Sequence, residues 1–240
     1  MKIRSLLLLI VVSLLSCNQN NVKTDASIEA VFSKYNVKGS FALLENGTGD
    51  FIIQDLNFYK DSAQSPLQTF FIIPQLMGYN NGVTTHDQSI ELDSIEQNIQ
   101  IANLIGATAI KRVLDSLHYG NKLDTISLEH SWKDGSIRIT MDEQLGFIKR
   151  LYFNKLPFEK KSQEWMRKQI QKESNSNYTL SYINGILENK AWMLGYIEEN
   201  KHPYFFVLYF NAQSASISIN NSTTLLKELL EKQGFFKGLR

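Results

Sequence analysis

The chain is short of the residues that several common chemistries need. It has one cysteine in 240 residues, Cys17, so no disulfide can form within it. Its four histidines, His86, His118, His130 and His202, do not stand at the spacing of metal ligands, and neither a metal nor a cofactor is expected. Neither charge is in surplus: 25 Lys+Arg face 24 Asp+Glu, a net of +1, without a basic block or a basic–aromatic stripe. That argues against nucleic acid as a partner and against a hold on anionic lipid by charge. Long apolar runs are missing too. Leu6–Leu15, at about ten residues, is too short to span a bilayer at about 1.5 Å of rise per residue. There is no repeat period and no low-complexity stretch beyond short Asn/Ser patches.

What is present is ordinary globular composition, 43% hydrophobic and 20% charged, with enough apolar mass for one sizeable core. The first residues stand apart from it. Lys2 and Arg4 make a basic start, the apolar run follows, and it ends in Leu14-Leu15-Ser16-Cys17. This resembles a bacterial lipobox, which implies cleavage before Cys17 and lipidation of it; the alternative is a plain secretory signal with an incidental cysteine. The expected division is a signal peptide over 1–16, a lipidated cysteine and polar tether over 17–26, and one domain over 27–240. Without Lys2 and Arg4 the balance is 23 basic against 24 acidic residues, so attachment would rest on acyl chains, several of which are needed for a firm anchor. Asn18 after the cysteine carries no acidic retention cue, which favours the periplasmic side of the outer membrane.

Along the domain, two apolar runs around Asn46-Gly47-Thr48-Gly49 predict a β-hairpin over 39–55. Thr69–Met77 is almost wholly apolar and reads as a buried helix. Ile110, Val113, Leu114 and Leu117 fall on one helical face, with a stop expected at Gly120-Asn121. Thr140 and Glu143 have the spacing of a capping box at the head of another helix, with Pro157 beyond its end. Residues 178–184, 190–198 and 203–210 read as an antiparallel meander, and 222–234 as a final helix that stops at Gly234. The class is therefore α+β, an antiparallel sheet flanked by helices with a helical subdomain.

At Pro66–Val83 the chain reads P-L-Q-T-F-F-I-I-P-Q-L-M-G-Y-N-N-G-V. It is similar to P-A-S-T-F-K-I-P-N-S-L-I-G-L-E-N-G-V, the nucleophile helix of class D (oxacillinase-type) β-lactamases and the related penicillin-sensing, transpeptidase-like domains. Pro66, Thr69, Phe70, Ile72, Leu76, Gly78, Asn81, Gly82 and Val83 match. Ile105-Gly106, Tyr119-Gly120-Asn121, Trp132-Lys133-Asp134-Gly135, the run from Ile137 to Phe158, and Trp192–Glu198 follow in the family's order and spacing. The resemblance covers roughly Phe32–Leu230 and implies a β-lactamase-like fold.

The catalytic positions depart from the family's pattern. Its nucleophilic serine falls on Gln68 and its base lysine on Phe71. The serine of its S-x-V motif falls on Asp93, in Asp93-Ser94-Ile95. The lysine of its K-[ST]-G motif, which holds the substrate carboxylate, falls on Ile183, in Ile183-Asn184-Gly185. Sliding the register by one residue puts Thr69 and Ile72 at the first two positions, still without a lysine. No serine of the mature chain has a lysine three residues later, and Thr108/Lys111 and Thr224/Lys227 lie on other helices. An amide is not acylated as a hydroxyl is, and a phenyl ring takes no proton. The expected relic cleft is Thr69, Ser94, Trp132, Asn184 and Gly185, with Gln68 and Phe71 either remodelling a ligand pocket or filling core.

The reading that follows is an exported lipoprotein that does not hydrolyse β-lactams. It would bind a cell-wall-derived or β-lactam-like ligand, or an envelope protein. The alternatives are a divergent serine-type β-lactamase or peptidoglycan hydrolase working through Asp93, Ser94 or Thr69, and a structural protein with its cleft filled solid. The fold by itself chooses none of them.

Overall fold

The computed structural model describes residues 21–84, 94–213 and 219–240, without the side chains of 219 and 220. In chain order the elements are β1 (Val22–Lys23), α1 (Ala26–Lys34), β2 (Val37–Glu45), β3 (Phe51–Ile53) and α2 (Leu56–Asp61). A 3₁₀ segment (Leu67–Phe71) runs directly into α3 (Ile72–Asn80). Then come α4 (Ile95–Ile105), α5 (Ala107–Leu117), α6 (Met141–Tyr152) and α7 (Lys160–Gln169). The chain closes with β4 (Gln171–Ser174), β5 (Tyr178–Leu187), β6 (Lys190–Glu199), β7 (His202–Ala212) and α8 (Ile219–Lys232).

The seven strands form one sheet in the order β1-β3-β2-β7-β6-β5-β4, antiparallel except for β1 on β3. β6 and β7 lie inside it and are buried on both faces. Strand side chains alternate between faces, so one run of apolar residues feeds two cores. From β7, Phe205, Val207 and Tyr209 enter the core shared with the 3₁₀ segment, α3 and α6, while Phe206, Leu208 and Phe210 enter the one beneath α1 and α8. On β6, Trp192, Leu194 and Tyr196 face the first core and Ala191, Met193 and Ile197 the second. The helices α3 to α7 gather on the first face, where Trp132 and Trp165 are fully enclosed.

The expected α+β class, hairpin and meander are all found. Glu45 N–H donates to Asp50 O at 2.9 Å to close the hairpin, and Gly49 at φ +76° supplies the left-handed turn residue. The capping box is complete: Thr140 N–H donates to Glu143 Oε2 at 2.8 Å, and Glu143 N–H donates to Thr140 Oγ1 at 3.2 Å. Two expectations need correction. Residues 107–121 are not one helix to Gly120-Asn121. α5 ends at Leu117, because His118 takes the left-handed cap position at φ +52°. Asn121 instead ties two loops together, donating its N–H to Arg138 O at 3.0 Å and accepting Arg138 N–H on Oδ1 at 2.6 Å. The described part of the tether is also partly ordered. Val22 and Lys23 pair with Phe51 and Ile52, and Asp25 caps α1 by accepting Ser27 N–H at 2.8 Å. Six elements have no counterpart among the elements expected from the sequence: β1, α1, α2, α4, α7 and β4.

Candidate functional site

The 3₁₀ segment meets β5 where the family resemblance places its chemistry. Leu67 sets the approach. It is buried and holds φ +53°, a left-handed conformation that a non-glycine residue adopts at a cost and that clusters at functional sites. Its N–H donates to Trp132 O at 2.9 Å. The turn drives the backbone of Gln68 and Thr69 onto Gly185. A Cβ at 185 would stand 2.8 Å from Gln68 N and 2.9 Å from Thr69 N, so only glycine admits this contact.

The side chains fill the space around that contact. Gln68, 9% exposed, donates from Nε2 to Ile186 O at 2.7 Å, while its buried Oε1 has no partner among the described residues. Phe71 is fully buried, with its ring 5.1 Å from that of Trp132. Trp132 is equally enclosed, and its Nε1 is another buried polar atom without a partner among the described residues. Ile183 is buried in the core beneath the 3₁₀ segment, and Asn184 is buried on the strand between Ile183 and Gly185. Trp192 Nε1 donates to Ser65 O at 2.8 Å and anchors the loop that precedes the segment.

Two of the expected cleft hydroxyls are placed otherwise. Thr69 is 1% exposed; Oγ1 donates to Pro66 O at 2.5 Å and accepts Gln144 Nε2 at 3.0 Å, and Tyr119 OH donates to Gln144 Oε1 at 3.5 Å. It is a core hydroxyl with its proton engaged, since its short chain lies on the face turned toward α6. Burial pushes the Tyr119 phenol up, so it stays protonated and supplies no base. Ser94 is the N-cap of α4, accepting Gln97 N–H at 3.4 Å. Asp93, like Cys17 and His86, lies outside the described residues. Gln68, Phe71, Trp132, Ile183 and Gly185 are thus brought together, and they contain no group that gains or loses a proton near neutral pH. The Gln68–Ile186 and Gln144–Thr69 contacts were not foreseen; each pairs side chains with groups far away in sequence.

No family model matches the chain. Regulatory protein BlaR1 of Bacillus licheniformis is 22% identical over 234 residues, covering 85% of this chain and 38% of its own length. Beta-lactamase OXA-3 of Pseudomonas aeruginosa is 23% identical over 236 residues, covering 88% of this chain and 86% of that protein. Among solved structures, the C-terminal domain of the B. licheniformis BlaR penicillin-receptor superposes with a TM-score of 0.80 at 20% identity, over 90% of this chain and 97% of that one. The fold is a class D β-lactamase-like, penicillin-receptor fold. The chain spans under two fifths of BlaR1, so the likeness reaches the receptor domain and not the whole regulator. In this chain the 3₁₀ segment and β5 lie in close approach, and glutamine and phenylalanine stand in the positions the resemblance assigns to serine and lysine.

Proposed function

We propose that the chain is a non-hydrolytic penicillin-receptor-like domain of the bacterial envelope. It is anchored through lipid on Cys17, on the periplasmic side of the outer membrane, and works by binding. The ligand is β-lactam-like or derived from the cell wall, and the site is the junction of the 3₁₀ segment with β5. One observation carries the loss of chemistry: Gln68 and Phe71 are both buried and engaged, one on Ile186 O and the other against Trp132. Removing a nucleophile from a catalytic set that works as a unit costs on the order of 10⁶ in rate, and here the base and the cation opposite the substrate carboxylate are replaced as well. Thr69 and Ser94, the alternative nucleophiles, are committed to the core and to a helix cap. Ile183 also offers a carboxylate no partner, so a charged β-lactam is held without its anion anchor and binds weakly.

The test uses the full chain expressed in a Gram-negative host and a Cys17→Ala variant. The wild type is expected in the membrane fraction with a diacylglycerol-type mass increase, and the variant in the soluble fraction. Incubation with benzylpenicillin should leave both masses unchanged beside a serine-active control that labels fully. A stable penicilloyl adduct mapped to one residue would overturn the non-hydrolytic reading. Equal partitioning of both forms would overturn the anchor.

A further inference from the structure

The edge of β5 carries more than the static contact, and the inference rests on the binding reading above. β4 pairs with β5 only along Thr179–Ser181, and Tyr182 N–H donates to Ile170 O at 2.9 Å just before β4 begins. In an antiparallel ladder a residue points both backbone groups to the same neighbour, and the direction alternates along the strand. Tyr182 and Ile186 therefore direct theirs away from β6, toward the side that β4 covers for Tyr182 and has left behind by Ile186. At Ile186 the acceptor is met by the Gln68 amide and not by another strand.

The fit has the character of a side chain standing in for a main chain. The Gln68 backbone cannot retreat or advance, because Gly185 lies against it and Leu67 is pinned to Trp132 O. Its side chain is held by one hydrogen bond, from Nε2 to Ile186 O, while Oε1 stays buried without a partner among the described residues. An extended ligand laid along β5 needs that same carbonyl for its own amide N–H. A single neutral hydrogen bond of this kind weighs about 3- to 10-fold in an equilibrium, enough to keep the position occupied and little enough to be displaced.

We infer that Gln68 is a latch: its carboxamide occupies the Ile186 carbonyl in place of the ligand, and it must swing away before an amide-bearing ligand docks on β5. The apparent affinity is then reduced by the fraction of molecules in which the latch is closed.

The test measures dissociation constants for benzylpenicillin, whose acylamide N–H is the competing donor, by ligand-observed NMR with the full chain. Three proteins are compared: wild type, Gln68→Met, which keeps the length and removes the donor, and Gln68→Ala, which removes both. Circular dichroism and melting temperature report folding of each. Both variants are expected to bind about 3- to 10-fold tighter than the wild type. Equal affinity in all three overturns the latch and leaves the binding reading standing. Weaker binding by both variants also overturns it, because Gln68 would then contact the ligand. No binding by any folded protein overturns the binding reading and the latch together.

Discussion

Replacing Gly185 by alanine is a sharp probe of the junction. The added methyl would lie 2.8 Å from Gln68 N, 2.9 Å from Thr69 N and 3.2 Å from Leu67 Cβ. Two of those neighbours are backbone atoms of a segment fixed by Leu67 and Trp192, so the strain cannot be relieved by one side-chain rotation. Overpacking of this sort costs about 1–3 kcal/mol. Pushing the segment off β5 also weakens the Gln68–Ile186 hydrogen bond, worth about 0.5–1.5 kcal/mol. Together they predict a loss of about 2–4 kcal/mol, or roughly 4–16 °C in melting temperature for a chain of this size. Gly146→Ala is the matched control. Gly146 sits on the exposed face of α6, and a Cβ there meets nothing within 4 Å. The same substitution should stabilise by up to about 1 kcal/mol, since alanine loses less entropy in a helix. Urea unfolding of the three proteins, read by tryptophan fluorescence, gives both signs in one experiment. A Gly185→Ala protein within about 0.5 kcal/mol of the wild type would refute the argument, because it would mean that the 3₁₀ segment moves freely against β5.

Glu199 is 1% exposed and accepts Phe236 N–H at 2.6 Å and Arg240 N–H at 3.2 Å, so Glu199→Ala strands two donors. A loss of about 3 kcal/mol is expected, with faster amide hydrogen exchange at residues 236–240 as the local signature; unchanged exchange there would count against the clasp. Asp25 titrates below its ordinary 3.8, first because Gln233 Nε2 donates to it at 2.8 Å and next because of Ser27. A carboxyl lowered in the folded state stabilises it above the ordinary value, and that contribution disappears as pH falls through the folded pKa. Gln233→Met should raise the Asp25 pKa in an NMR titration and flatten the acid limb of stability below pH of about 4. An unmoved Asp25 titration would remove Gln233 as the cause.

Much of the architecture is legible because it depends on near neighbours. The hairpin, the capping box and the three-strand meander each follow from residues a few positions apart, and all are found. α7 has only Trp165 and Met166 as apolar positions and is held by the core they enter, while α4 is rich in apolar residues but leaves Ile95 and Leu104 exposed, so its string does not mark one buried face. His118 shows the limit at a helix end. A glycine two residues later looked like the stop, and Gly120 does hold φ +69°, yet the helix has already ended at His118, which takes the left-handed cap at φ +52° while Tyr119 packs on Phe147. Thr69 and Ser94 show the same limit at the site. Their hydroxyls suggested a cleft, whereas a threonine facing α6 and a serine preceding a helix find nearer partners.

From its residues alone the chain determines an α+β domain and the absence of serine and lysine at Gln68 and Phe71. Alternation, cap spacing and motif order are properties of the string, and so is the identity of a side chain at an aligned position. What those replacements do is decided only in three dimensions. Gln68 meets a carbonyl 118 residues away, and it does so because β4 stops short, Gly185 lacks a Cβ and Leu67 bends the wrong way for a leucine. None of these is a local preference. Each is a consequence of where the fold brings a strand edge, and that position is set by the burial of two cores on one sheet.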